Sequence, residues 1–141
     1  GFPSPSDPGP DERGESFLCG GSQPADSMIW QDIDVSVLAE TIDGGGVGYR
    51  LSGWLGGYDD HNDRTRVTMT LYDASGAAVA TETLPPVTAD DRDDATGLWL
   101  QTRFGMVPPF IRSVRVTVDF LRSSGGNDGY LDNLELVFTE G

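Results

Sequence analysis

The chain has 141 residues, with 23 acidic side chains against 9 basic ones and a formal net charge of -14 at pH 7. That length fits one domain burying about two thirds of its unfolded surface, and the charge excludes nucleic acid and anionic membrane, partners that need clustered positive charge. No apolar run approaches the ~20 residues of a membrane helix, and Cys19 is the only cysteine, so no intrachain disulfide forms.

Residues 1–16 carry Pro3, Pro5, Pro8 and Pro10 among Ser, Asp and Gly. Such a composition cannot bury enough apolar area to offset its ordering entropy, so the stretch reads as a linker or extended arm. No signal peptide is visible, which makes a secreted form of this sequence a mature or trimmed one. Residues 17–141 change character: short β-branched and aromatic runs alternate with Gly, Asp and Asn clusters, the spacing of an all-β antiparallel sandwich. A short strand is expected at 17–19, then strands at 28–36, 47–56, 65–73, 77–84, 97–104, 113–122 and 130–138, about eight in all. Asp73-Ala74-Ser75-Gly76 forms a hairpin turn in which Gly76 takes positive φ. Only residues 37–42 have the makings of a helical turn, with Ser36 as the cap.

Strand parity then sorts the side chains into faces. Val114, Val116, Val118 and Phe120 share one face and Arg115, Thr117, Asp119 and Leu121 the other, a half-buried strand. Val47, Tyr49, Leu51 and Leu55 point inward, leaving Arg50, Ser52 and Trp54 outward. The same rule puts Leu98 and Leu100 inward and Trp99, Gln101 and Arg103 outward, and it sets Trp30 against Ile29, Gln31 and Ile33. Trp54 and Trp99, with Tyr58 and Arg103 near them, therefore form a candidate platform for a sugar ring, whose apolar C–H face stacks on indole. The competing role for each tryptophan is to pack at the end of the sandwich or beneath a loop.

Three acidic segments follow from the same reading. Asp59, Asp60 and Asp63, beside His61 and Asn62, offer the hard oxygen ligands that calcium prefers, without the alternation and central Gly of an EF-hand loop; a solvated acidic hairpin is the plainer alternative. In Asp90-Asp91-Arg92-Asp93-Asp94, Arg92 relieves repulsion among its neighbours by local ion pairing. Paired carboxylates do glycosidase chemistry only when one is held in an apolar pocket, and these sit in polar loops, so no enzyme is expected. Near the C-terminus, the polar turn at Asn127, Asp128 and Gly129 runs into a strand with Leu134, Leu136 and Phe138 on one face and Asp132 at its mouth. Asp132, with Asp128, is the expected position for a structural calcium ion; otherwise Asp132 caps the preceding turn.

Four motifs carry a resemblance: Gln31-Asp32-Ile33-Asp34-Val35-Ser36, Ile42-Asp43-Gly44, Leu51-Ser52-Gly53-Trp54-Leu55-Gly56-Gly57 and Asn127-Asp128-Gly129-Tyr130-Leu131-Asp132-Asn133-Leu134, with Val87-Thr88-Ala89-Asp90-Asp91-Arg92 as a weaker match. Together they resemble secreted bacterial galactose-binding-like jelly rolls of the carbohydrate-binding-module type, over residues 17–138. The resemblance implies a jelly roll that binds glycans, binds calcium structurally or serves as an adhesive spacer. Such domains commonly begin with a Phe-Glu strand and a Trp that have no counterpart before Phe17, so the sheet is expected to lack its first strand. Pro108-Pro109-Phe110 replaces a more flexible segment and places Phe110 at the surface. The expected function is a non-catalytic extracellular carbohydrate-binding module using Trp54, Tyr58, Trp99, Arg103, Asp59, Asp60 and Asp63. The alternative is a structural or adhesive subunit that self-associates through an exposed sheet edge and the arm at 1–16.

Overall fold

A computed structural model describes residues 18–21, 27–60, 64–121 and 127–140, and the side chains of 28–60, 64–121 and 130–140. Eight strands alternate with short connections: β1 (Leu18–Gly21), β2 (Ser27–Asp34), β3 (Val47–Gly57), β4 (Arg64–Asp73), β5 (Ala78–Leu84), β6 (Gly97–Met106), β7 (Ile111–Leu121) and β8 (Asn127–Glu140). They form two antiparallel four-stranded sheets, in the orders β1-β8-β3-β6 and β2-β7-β4-β5. The chain is an antiparallel β-sandwich of the jelly-roll type.

The core lies between the sheets because each strand turns one parity inward. Leu51 and Leu55 of β3, Val67, Met69 and Leu71 of β4, Val114, Val116 and Val118 of β7 and Leu131 of β8 are all buried in one cluster. Burying such a side chain contributes about 1.5–3 kcal/mol, so these strands dominate the stability of the sandwich.

The connections are held by local hydrogen bonds. At the β4–β5 turn, Gly76 sits at φ 84°, and Asp73 Oδ1 accepts the backbone N–H groups of Ser75 and Ala77 at 2.9 and 3.0 Å. After β2, a 3-10 turn at Ser36–Leu38 leads into α1 (Ala39–Asp43). Its cap is not the Ser36 side chain: the Asp34 carboxylate accepts the Ser36 N–H at 2.8 Å, because an Asx side chain reaches the N–H two residues on. Asp43, at the end of α1, accepts the Phe110 N–H at 2.7 Å and a two-pronged ion pair from Arg112. This anchors the β6–β7 turn, where Phe110 stands at φ 72° with 64% of its surface exposed.

Two expectations need correction here. Asp132 is not at the mouth of a strand, since β8 already begins at Asn127. It lies mid-strand, where the pairing with β3 shifts between Ser52 and Trp54, and the extra residue Asn133 takes φ 47°. A bulge of this kind leaves one residue unpaired and bends the strand. Arg92 does more than relieve repulsion among its acidic neighbours: it is 2% exposed. Its Nη1 donates to the carbonyl oxygens of Asp59 at 3.0 Å and Ala95 at 2.5 Å, tying the β3–β4 and β5–β6 connections together.

Candidate binding face

The outward parity of β3 gives the β1-β8-β3-β6 sheet an exposed face built in rows. Trp54 of β3 lies between Leu100 of β6 and Asp132 of β8; Ser52 lies between Thr102 and Glu135; Arg50 lies between Phe104 and Val137. Arg50 Nη2 reaches Glu135 Oε1 at 2.8 Å across that face. One end of the face is closed. Tyr130 has outward parity opposite Gly56 yet is fully buried, and Arg92 of the β5–β6 connection is near enough for its charge to interact with Tyr130. Gly56 is needed at this end, because a Cβ there would run into the backbone of Gly97. The open face thus starts at Trp54 beside this wall and runs along β3 and β6.

The expected site residues do not all gather on this face. Trp54 does, partly buried, with Leu100 and Asp132 beside it, Ser52, Thr102 and Glu135 in the next row, and Arg50 in the row after that. Trp99 does not: it pairs with Leu55 on the inward parity and packs against the core. Gln101 and Arg103 share that inward parity, opposite Gly53 and Leu51, while Leu98 and Leu100 turn outward. The predicted faces of β6 are therefore reversed. The physical reason is that β6 is an edge strand whose two faces both carry large apolar groups, so hydrophobicity alone leaves its register open. Arg103 instead approaches Glu82 of β5, at 4.0 Å, on the rim between the sheets. Tyr49 donates its hydroxyl to the same Glu82 at 2.8 Å. Burial, the hydrogen bond and the Glu82 charge push the Tyr49 phenol up to about 12.

The β3–β4 connection lies at the walled end. Asp59, at φ 49°, donates its N–H to Thr96 Oγ1 at 2.9 Å and gives its carbonyl to Arg92. Tyr58 is partly buried and Asp60 exposed, whereas His61, Asn62 and Asp63 lie outside the described residues. Burial lowers the Arg92 pKa, offset by Tyr130 and by the carboxylates of Asp94, Asp59 and Asp91. Asp91 does local work: its carboxylate accepts the Thr88 N–H at 2.9 Å while Thr88 Oγ1 accepts the Asp91 N–H at 3.2 Å, a reciprocal capping box.

The expected calcium position gains no support from its surroundings. Among the described residues no three His, Cys, Asp or Glu side chains converge on a metal. Asp132 Oδ1 accepts the N–H of Asn133 at 2.9 Å, which serves the bulge. The Asp128 side chain lies outside the described residues.

Two further surfaces complete the inventory. A cleft of about 600 Å3 opens between β2 and β8, floored by Leu51, Leu131, Val116 and Val118, with Gln31, Asp132 and Asn133 at its rim. On the outer face of the opposite sheet, Arg115 lies 5.7 Å over the Trp30 ring and is held by Asp32 through two bonds of 2.7 and 3.0 Å. Residues that parity alone did not flag for the candidate face are Leu100, Thr102 and Glu135. The missing signal was the register of β3 with β6 and β8, which pairs them with Trp54 and Ser52.

No protein-family model matches the chain, and no curated protein matches it in sequence. Solved structures match its fold. A family 16 carbohydrate-binding module superposes with a TM-score of 0.55 at 18% identity, over 86% of this chain and 74% of that one. The enzymatically active domain of bacteriophage CBA120 tailspike protein 4 gives 0.54 at 18% identity, over 84% of this chain. A chain of the IBDV viral particle gives 0.53 at 13% identity, over 86% of this chain. This chain spans only 15% of the tailspike chain and 28% of the viral one. No helix among the described residues is long and apolar enough to cross a membrane.

Proposed function

We propose that the domain is a non-catalytic, extracellular glycan-binding module whose site is the outer face of the β1-β8-β3-β6 sheet. The observation that carries this reading is Trp54, set outward in the middle of the sheet between Leu100 and Asp132 with Ser52, Thr102 and the Arg50–Glu135 pair beyond it. An indole supplies the stacking surface for the apolar face of a pyranose, and the hydroxyl, carboxylate and guanidinium groups supply donors and acceptors at the ring's edge. The likeness in fold to a family 16 carbohydrate-binding module supports the reading. Trp99 has no part in it, since it faces the core.

Calorimetry against a panel of soluble polysaccharides tests the proposal. At least one glycan is expected to bind, with Trp54→Ala weakening it about tenfold and Trp30→Ala, on the other sheet, leaving it unchanged. Binding to no glycan, or equal affinity for wild type and Trp54→Ala, overturns the proposal.

A further inference from the structure

We propose that β6 pairs antiparallel with β6 of a second copy of this chain, joining the two β1-β8-β3-β6 sheets edge to edge about a two-fold axis through Thr102. β6 ends its sheet and is bonded to β3 alone, so one side of its backbone offers unsatisfied N–H and C=O groups. Of the devices that blunt such edges it has one, the charged Arg103 at its inward parity, 4.0 Å from Glu82. Its ten residues include no proline, no lysine and no acidic side chain, and its pairing with β3 runs from Gly97 to Met106 without a bulge. Its outward parity exposes Leu100 by 52%, Phe104 by 73% and Met106 by 62%.

The strand is complementary to itself in one register. With Thr102 on the axis, Leu100 meets Phe104 of the second copy on both sides of the axis, and Met106 falls opposite Leu98, which is itself buried, so the exposed pair Leu100 and Phe104 carries the apolar contact. In the same register Arg103 faces Gln101. Centring on Arg103 would set two guanidinium groups against each other, which cross-strand pairing disfavours. Charge favours this edge over those of β2 and β5. Two molecules of charge -14 repel, and β2 adds Asp32 and Asp34 at its edge and β5 adds Glu82. β6 itself carries no carboxylate and a single arginine, Arg103, so copies approaching through β6 repel less than copies approaching through β2. The joined sheet has eight strands and carries Trp54 twice on one outer face.

Light scattering over a concentration series reads the assembly, and a cysteine pair reads the register. Wild type is expected to dimerise at micromolar concentrations, and Phe104→Glu, at an exposed position, to remain monomeric with the unfolding midpoint that wild type shows at concentrations too low for it to dimerise. In a Cys19→Ser background, Thr102→Cys is expected to form an intermolecular disulfide under mild oxidation, since directly opposed Cα atoms lie about 4.5–5.5 Å apart. Thr117→Cys, on the outer face of the other sheet, is expected not to do so. The proposal is overturned by a wild type monomeric at millimolar concentration, or by Thr102→Cys cross-linking no faster than Thr117→Cys. It is equally overturned by a dimer that survives Phe104→Glu and vanishes when residues 1–16 are removed, which would assign the contact to that segment.

Discussion

Arg92 has the most unusual environment of any charged residue described, a guanidinium 2% exposed in a connection otherwise crowded with carboxylates. Its two carbonyl partners belong to different connections, Asp59 after β3 and Ala95 before β6. Losing the hydrogen bonds of a charged donor costs about 1.5–3 kcal/mol, and the vacated volume adds to that. Arg92→Met is therefore expected to lower stability by at least about 2 kcal/mol in urea unfolding, with faster amide exchange around Asp59 and Ala95. Arg92→Lys should recover only part of the loss, because an ammonium lacks the planar fork that reaches both carbonyls. Nothing in the sequence forecasts this role. The Arg lies among four aspartates, which reads as local ion pairing, and its carbonyl partner at Asp59 lies 33 positions away.

Among the elements, β3, β7 and β6 show what alternation reveals and what it conceals. From Ser113 to Phe120 of β7 the inward positions are valine and phenylalanine and the outward ones polar, so its faces follow from sequence alone. The same holds for β3, which is why the outward position of Trp54 was legible. β6 alternates Leu98, Leu100, Phe104 and Met106 with Trp99, Gln101, Arg103 and Gly105, and neither set is plainly polar. Its faces are decided by register against β3, where Gly105 meets Tyr49. The β8 bulge was hidden for a related reason, since an inserted residue changes pairing without leaving a gap in composition. Gly105 gives that register a test. A Cβ there would overlap the Tyr49 ring and hydroxyl, so Gly105→Ala must displace a ring bonded to Glu82. Overpacking of this sort costs about 1–3 kcal/mol. Phenolate absorbance supplies the specific readout: the Tyr49 pKa should fall from about 12 toward the ordinary 10.0 as the ring leaves Glu82.

For the molecule as a whole, stability in acid depends on four aspartates that, among the described residues, have lowered pKa values. Arg115 lowers Asp32, Ser36 lowers Asp34, Arg112 lowers Asp43 and Ser75 lowers Asp73. In each case the folded state holds the proton more weakly than the unfolded chain, whose value lies near 3.8. Their contribution is therefore fully present above that pH and is lost as the pH falls through the lower folded values. The thermal midpoint should drop below about pH 4, and Asp43→Asn should make that drop shallower. An equally steep drop in Asp43→Asn would remove the Arg112 pair from the explanation.

The place of β8 in its sheet also governs when the fold can form. It is the last strand made, yet it lies between the first described strand and β3, pairing Leu131 with Leu18 and Leu136 with Leu51. The β4–β5 hairpin can close as soon as its turn exists, whereas the other sheet waits for nearly the whole chain. Folding dominated by such distant pairings is slow, on the scale of milliseconds to seconds. During synthesis β3 must stay unpaired on that side until β8 emerges, with its apolar face open to other chains.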